Sequence, residues 1–301
     1  MVRPYLTAND ITEDPVQAPS RWVIDFGLRS LEEALAFPEA LDVARRLVKP
    51  ERERNNRKAY REKWWLFAEP RTAMRSALAP LCRYAAMARH GKRLSIAWAE
   101  PWTLASDATN VYAFEDDYSM GVLLARAHDA WAWARSSTLK GDLRYTPSTA
   151  FMTFPFPDPV PPEVRARVAT ASSALYAQRS ELCAEHQIGL TKLYNLMDEG
   201  AFTDLKALHL ALDRAVVAAY GWPESIAQDG AELVRLLTER NQEITEGRRP
   251  YAPFCPDVVA TQTRSRAPAR SHSTTATVWR TTTRACSIVA RFGSVPWRPG
   301  S

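Results

Sequence analysis

The sequence predicts an α+β protein: a small mixed α/β domain over residues 1–158, an α-helical bundle or hairpin region over 159–247, and a disordered basic tail over 248–301. Three observations carry this. Short β-favouring runs alternate with helix signals as far as Phe156. A cluster of prolines from Pro155 to Pro162 then breaks the chain. Beyond it, apolar residues recur at helical spacing until about residue 247, where periodicity stops.

Residues 1–20 are polar, interrupted by prolines and without a capped first element, so the chain reads as the interior of something longer. Arg21-Trp22-Val23-Ile24-Asp25-Phe26 is a short strand ended by Gly27. Ser30 and Glu33 have capping-box spacing, and Leu31, Ala34 and Leu35 would face inward from the helix they start. A second helix runs from Pro38 to about Val48. Leu94–Trp98 and Asn110–Phe114 read as two strands joined by a loop with Pro101 and Asp107. Asp116 or Asp117 would cap one helix from Tyr118 to about Ser136, with Val122, Leu123, Ala127, Ala130, Trp131 and Ala134 on a single face. His128 on that helix reads as a packed or solvent-facing imidazole, because no nucleophile or acid pairs with it by spacing.

Phe151-Met152-Thr153-Phe154-Pro155-Phe156-Pro157 is an edge or extended connector with its alternating aromatics buried, since proline cannot continue a hydrogen-bonded ladder. Four helices follow: Pro162 to Gln187, closing at Ile188-Gly189; Thr191 to about Met197; Leu205 to Tyr220, capped by Thr203 or Asp204 and stopped by Gly221; and Ala231 to about Glu246. The tail is Thr-, Ser- and Arg-biased and lacks a core pattern. It reads either as a non-specific nucleic-acid binder or as the out-of-frame end of a GC-rich gene.

At 301 residues the chain is long enough for one large or two ordinary domains. No apolar run approaches a membrane span, no signal peptide opens the chain, and the 4 cysteines (Cys82, Cys183, Cys255, Cys286) form no CxxC pair. The expectation is a cytoplasmic protein without a metal site or disulfides. Its net charge of +5 is unevenly spread: residues 45–93 hold 15 Lys/Arg against 4 Asp/Glu, whereas residues 94–247 hold 12 against 21. A basic run on a helix is ordinarily a solvated face. Here it runs into Trp64, Trp65 and Phe67, a pairing that also suits a phosphate-neutralising surface packed firmly from behind.

The stretch from Leu139 to Pro157, a polar loop over Ser136–Thr149 running into an aromatic-proline exit, is the most distinctive of the chain. If its backbone is extended, Lys140, Asp142 and Arg144 project to one side, offering donors and acceptors to the edges of bases in a major groove. The alternative reading of Arg144-Tyr145 is a buried pair that holds the loop.

Arg21–Phe26, Val48-Lys49-Pro50-Glu51-Arg52, Trp64-Trp65, Arg144-Tyr145-Thr146-Pro147-Ser148 with Phe154-Pro155-Phe156-Pro157, Gly189-Leu190-Thr191-Lys192-Leu193-Tyr194-Asn195 and Ala211–Val216 form a series in one order. The series resembles the C-terminal portion of MmeI-like (Type IIL) restriction-modification enzymes and their methyltransferase relatives, over about residues 3–245. Enzymes of that kind combine a nuclease, a helical spacer, an adenine-N6 methyltransferase using S-adenosylmethionine, a target-recognition domain and a C-terminal helical region. The resemblance implies only the last two here, because the chain has neither an Asn-Pro-Pro-aromatic motif nor a glycine-rich cofactor loop. It implies a double-stranded DNA partner and no cofactor bound by this chain. Lys140, Asp142, Arg144 and Tyr145 would read bases; Arg57, Lys58, Arg61, Lys63, Arg71, Arg75, Arg89, Lys92 and Arg93 would contact phosphates. The alternatives are a complete enzyme in its own right, a subunit that docks a separate methyltransferase polypeptide, and a non-functional gene fragment.

Overall fold

The computed structural model describes residues 1–254. Its first sheet is built from β1 (Val2–Leu6) and β2 (Arg21–Ile24), paired antiparallel, with β6 (Leu104–Ala105) added in parallel on the other side of β1. Contrary to the expected uncapped start, Thr7 and Asp10 form a reciprocal capping box that opens α1 (Ala8–Glu13). The box uses Asp at the third helical position, where the usual sequence signature has Glu or Gln. The expected box of Ser30 and Glu33 is present and opens α2 (Leu31–Ala34). Ala34 is buried, but Leu35 lies beyond the helix and is exposed, so it does not face inward as predicted.

Helix α3 (Pro38–Leu47) buries Leu41 and Ala44 against Phe26, Ala34 and Trp64, a small cluster separate from the main core. The basic run is not one helix. It is divided into α4 (Lys49–Glu53), α5 (Lys58–Glu62) and α6 (Thr72–Leu78), the breaks falling at Asn55-Asn56 and before and at Pro70.

In the second sheet the two expected strands do not pair with each other. Between β5 (Ile96–Ala99) and β7 (Thr109–Tyr112) lies β3 (Tyr84–Ala88), antiparallel to both and buried at all five positions. Three of its residues are alanine, which carries little β-propensity, so the strand left no signal in the sequence. Full burial on both faces also removes the alternation that marks a half-exposed strand.

The helix expected from Tyr118 to Ser136 is two helices, α7 (Asp117–Leu124) and α8 (Arg126–Arg135). They are broken at buried Ala125, whose ψ of 155° is extended. Asp116 caps α7 by accepting from the Ser119 N–H. The break lets α7 lie against α9 (Pro162–His186) while α8 turns to pack on α12 (Gly230–Thr245). Gly121 makes the first contact close: a Cβ there would stand 2.9 Å from Ser172 Cβ.

Helices α10 (Leu190–Asp198) and α11 (Thr203–Ala219) complete the helical region. Neither Thr203 nor Asp204 caps α11; the capping position is Phe202, held in the left-handed region. One apolar core runs through both predicted regions, joining Ile11, Met87 and Trp131 to Leu175, Leu212 and Leu237. The predicted tail begins too early: Tyr251 donates to the Phe154 carbonyl and receives the Phe156 N–H, and Phe254 packs edge-on against Phe156. The rest of that tail lies outside the described residues. Among these, no helix is long and apolar enough to cross a membrane, and no group of His, Cys, Asp and Glu is placed to hold a metal.

Candidate nucleic-acid interface

A third sheet organises the predicted reading loop. Strands β8 (Ser137–Leu139) and β9 (Asp142–Arg144) form a hairpin, and β9 also pairs with β4 (His90–Gly91) to give the order β4-β9-β8. Lys140 and Gly141 are the two turn residues, at φ of +53° and +88°. Two positive φ values match the turn whose twist suits a two-residue hairpin. Lys140 is thus at the tip, not in the extended register predicted for it. Asp142 and Arg144 do share a face, and Leu143 between them is buried in the core.

The pairing register puts further side chains on that face. Arg144 stands opposite Ser137 on one side and His90 on the other, so Ser137, Arg144 and His90 form a row across three strands. Arg144 is exposed and forms no ion pair among the described residues; Asp142 is half-buried. Burial, then the charges of Arg89 and Arg144, push the His90 imidazole below its ordinary pKa against an opposing pull from Asp142. A neutral His90 keeps one nitrogen as a donor and the other as an acceptor. The sequence held no sign of His90, because only strand register brings it beside Arg144.

Tyr145 leaves the base-reading set. It is buried, and its hydroxyl lies 2.9 Å from His128 Nε2. His128 Nδ1 lies 2.9 Å from the Leu123 carbonyl, which only accepts, so Nδ1 carries the proton and Nε2 accepts from Tyr145. Burial pushes the His128 pKa down to about 4. With the Tyr145 N–H donated to the Arg89 carbonyl at 2.9 Å, this residue fastens the base of the hairpin to both α8 and the bend between β3 and β4. Tyr145→Phe is expected to cost about 1–2 kcal/mol in urea unfolding, because Nε2 loses its donor, while DNA discrimination stays as in the parent protein. A change of base preference at equal stability would return Tyr145 to the reading surface. The folded pKa of His128 lies below its ordinary 6.5, so stability from its neutral form is full above that value and declines as pH falls toward 4.

The nine predicted phosphate contacts separate into groups. Lys92 and Arg93 directly follow β4, beside the hairpin, and both are exposed, while Arg89 before it is half-buried. Arg93 pairs with Asp198 and lies over the Tyr194 ring, which ties this end of the sheet to α10. Arg57, Lys58, Arg61 and Lys63 are exposed on and around α5, next to the separate small cluster. Arg71 pairs with Glu69. Arg75 is drawn inward, where Nη1 donates to buried Asp25 at 2.6 Å.

Comparison with known proteins identifies the fold and the family. The fold is similar to that of the solved Type IIL restriction-modification enzyme MmeI in complex with DNA, with a TM-score of 0.63 and 19% identity over 81% of this chain and 31% of that one. DNA methyltransferase A of Bacillus subtilis (strain 168) is 28% identical over 144 residues, which is 48% of this chain and 15% of the relative. The chain therefore spans well under half the length of either. The family model described as the MmeI target recognition domain matches residues 1–158, over half of the sequence, and the chain belongs to that family.

Proposed function

We propose that this chain is a sequence-specific double-stranded DNA recognition module, with the β4-β9-β8 sheet as its reading surface. The observation that carries the reading is the pairing of His90 with Arg144. It joins the hairpin to the end of the basic segment, so one duplex can meet Lys92 with its phosphates while Arg144 meets base edges. Arg144 suits guanine O6 and N7, and Asp142 either accepts from cytosine N4 or orients Arg144. The family membership and the fold shared with a DNA-bound enzyme support this reading.

Methyl transfer is assigned to no residue here, since the chain carries neither an Asn-Pro-Pro motif nor a glycine-rich loop. In this reading S-adenosylmethionine binds a methyltransferase polypeptide, and the present chain supplies the target choice. Methyl transfer by the isolated chain with labelled cofactor would overturn that division. Co-purification tests for a separate methyltransferase subunit.

Selection of bound duplexes from a random pool is expected to enrich one short motif. Arg144→Ala should then lose discrimination at one base pair by about 1–3 kcal/mol, whereas Lys92→Ala should weaken all sequences alike and flatten the salt dependence. Recovery of no motif, or equal discrimination by Arg144→Ala, counts against the sheet as reading surface.

A further inference from the structure

The part of the basic segment that does not join the hairpin surrounds a cavity of about 230 Å3. Three arginines line it, Arg52, Arg71 and Arg75, with the aromatic residues Tyr5, Tyr60 and Phe67 and two carboxylates, Glu69 and exposed Asp107, so the cations outnumber the acids by one. Two of the cations are already matched, Arg75 by Asp25 and Arg71 by Glu69. Arg52 is different. It donates to the Leu66 carbonyl at 3.1 Å and lies 4.9 Å from the centre of the Tyr60 ring, but no carboxylate pairs with it among the described residues. Burial also pushes its pKa below the ordinary arginine value. A half-buried guanidinium held by one carbonyl and one aromatic face has lost hydration with only the more distant charge of Glu51 to offset it, and an anion entering the cavity would supply a direct ion pair.

The rest of the lining says what kind of anion. Phe67 is 38% exposed, a large apolar ring left partly in water beside the cavity. Aromatic faces beside arginine suit a flat heterocycle attached to a phosphate, the pairing by which single-stranded nucleic acids are held regardless of sequence. We propose that this cavity binds one nucleotide unit, its phosphate on Arg52 and its base against Phe67 and Tyr60. The same chemistry is offered by a free mononucleotide and by an unpaired nucleotide of a DNA strand. The site is separate from the hairpin and does not rest on the reading surface assigned there.

The test titrates the whole chain with thymidine 5′-monophosphate, inorganic phosphate, thymidine, a short oligothymidylate and a blunt duplex, using calorimetry. Binding of the monophosphate, the oligothymidylate or both is expected, each exceeding phosphate and thymidine. A preference for the oligothymidylate identifies an unpaired strand as the source, and equal binding identifies the free nucleotide. Phe67→Ala, at a partly exposed position, should weaken nucleotide binding about tenfold, and Arg52→Gln should weaken both nucleotide and phosphate. Arg144→Ala should change neither, so failure of the duplex-reading proposal leaves this result readable. The proposal is overturned if neither nucleotide ligand binds, if phosphate alone binds as well, if Phe67→Ala binds like the parent, or if Arg144→Ala abolishes binding.

Discussion

Replacing Gly189 with alanine is expected to destabilise the protein by at least about 3 kcal/mol, at the upper end of what a single added methyl costs in a packed interior. The backbone of Gly189 is extended, with φ of −81° and ψ of 173°, a conformation any residue adopts. What it lacks is room. A Cβ at this position would stand 2.4 Å from the Cα and carbonyl carbon of Glu13 and 2.5 Å from its oxygen. These are backbone atoms, so no side-chain rotation relieves the contact, and α1 must move off α10. The same junction is joined by the Thr191 hydroxyl, which donates to the Glu13 carboxylate at 2.9 Å. Thermal unfolding measures the effect: a shift of roughly 6–12 °C downward is expected for a protein of this size, and an unchanged midpoint would show that α1 and α10 are not in close contact.

Arg75→Ala is the second large effect, expected at about 3 kcal/mol, because it removes the main partner of a buried carboxylate. The Asp25 side chain is 3% exposed and that of Arg75 24%. Arg75 donates to both Asp25 oxygens, at 2.6 and 3.3 Å, and Arg3 adds a weaker contact at 3.3 Å. Burial alone would raise the Asp25 pKa; the hydrogen bonds and charge of Arg75, the Gly27 N–H and Arg3 more than offset it, and the net shift is downward. A carboxylate with a lowered folded pKa stabilises the protein at pH above its ordinary value, and that contribution is lost as pH falls through the folded value. The deficit of Arg75→Ala should therefore be large at pH 7 and smaller at pH 3, below the ordinary aspartate value, where this contribution is being lost. Urea unfolding at both pH values reads this directly. A small, pH-independent loss accompanied by weakened duplex binding would instead make Arg75 a phosphate contact.

Much of the architecture was legible from local rules. The Ser30–Glu33 box, the Asp116 cap, the extents of α9 and α12 and the buried Phe154 and Phe156 each depend on residues a few positions apart. The errors have the opposite character. Strand β3 is invisible because burial on both faces erases alternation, and Ala125 breaks a helix although no glycine or proline marks it. Tyr145 sits in a polar loop, yet its hydroxyl belongs to His128, 17 positions earlier.

Gly189 shows where the boundary lies. Its place after a long helix suggests a helix stop, but the left-handed residue closing α9 is Gln187, at φ of +52°. Glycine is required at 189 because Glu13, far away in sequence, occupies the space a side chain would need. The candidate site divides in the same way. Periodicity, capping and charge distribution located a polar loop, the basic segment and the helical region, since each is a property of neighbouring residues; that the loop is a hairpin with Lys140 in its turn came only from the structure. Which arginines remain available at the surface was settled by packing: Arg144 has no ion partner among the described residues and stands beside His90, while Arg75 is spent on Asp25. Hydrogen-bond register and the burial of counter-charges join residues distant in sequence, and those relations exist only once the chain has folded.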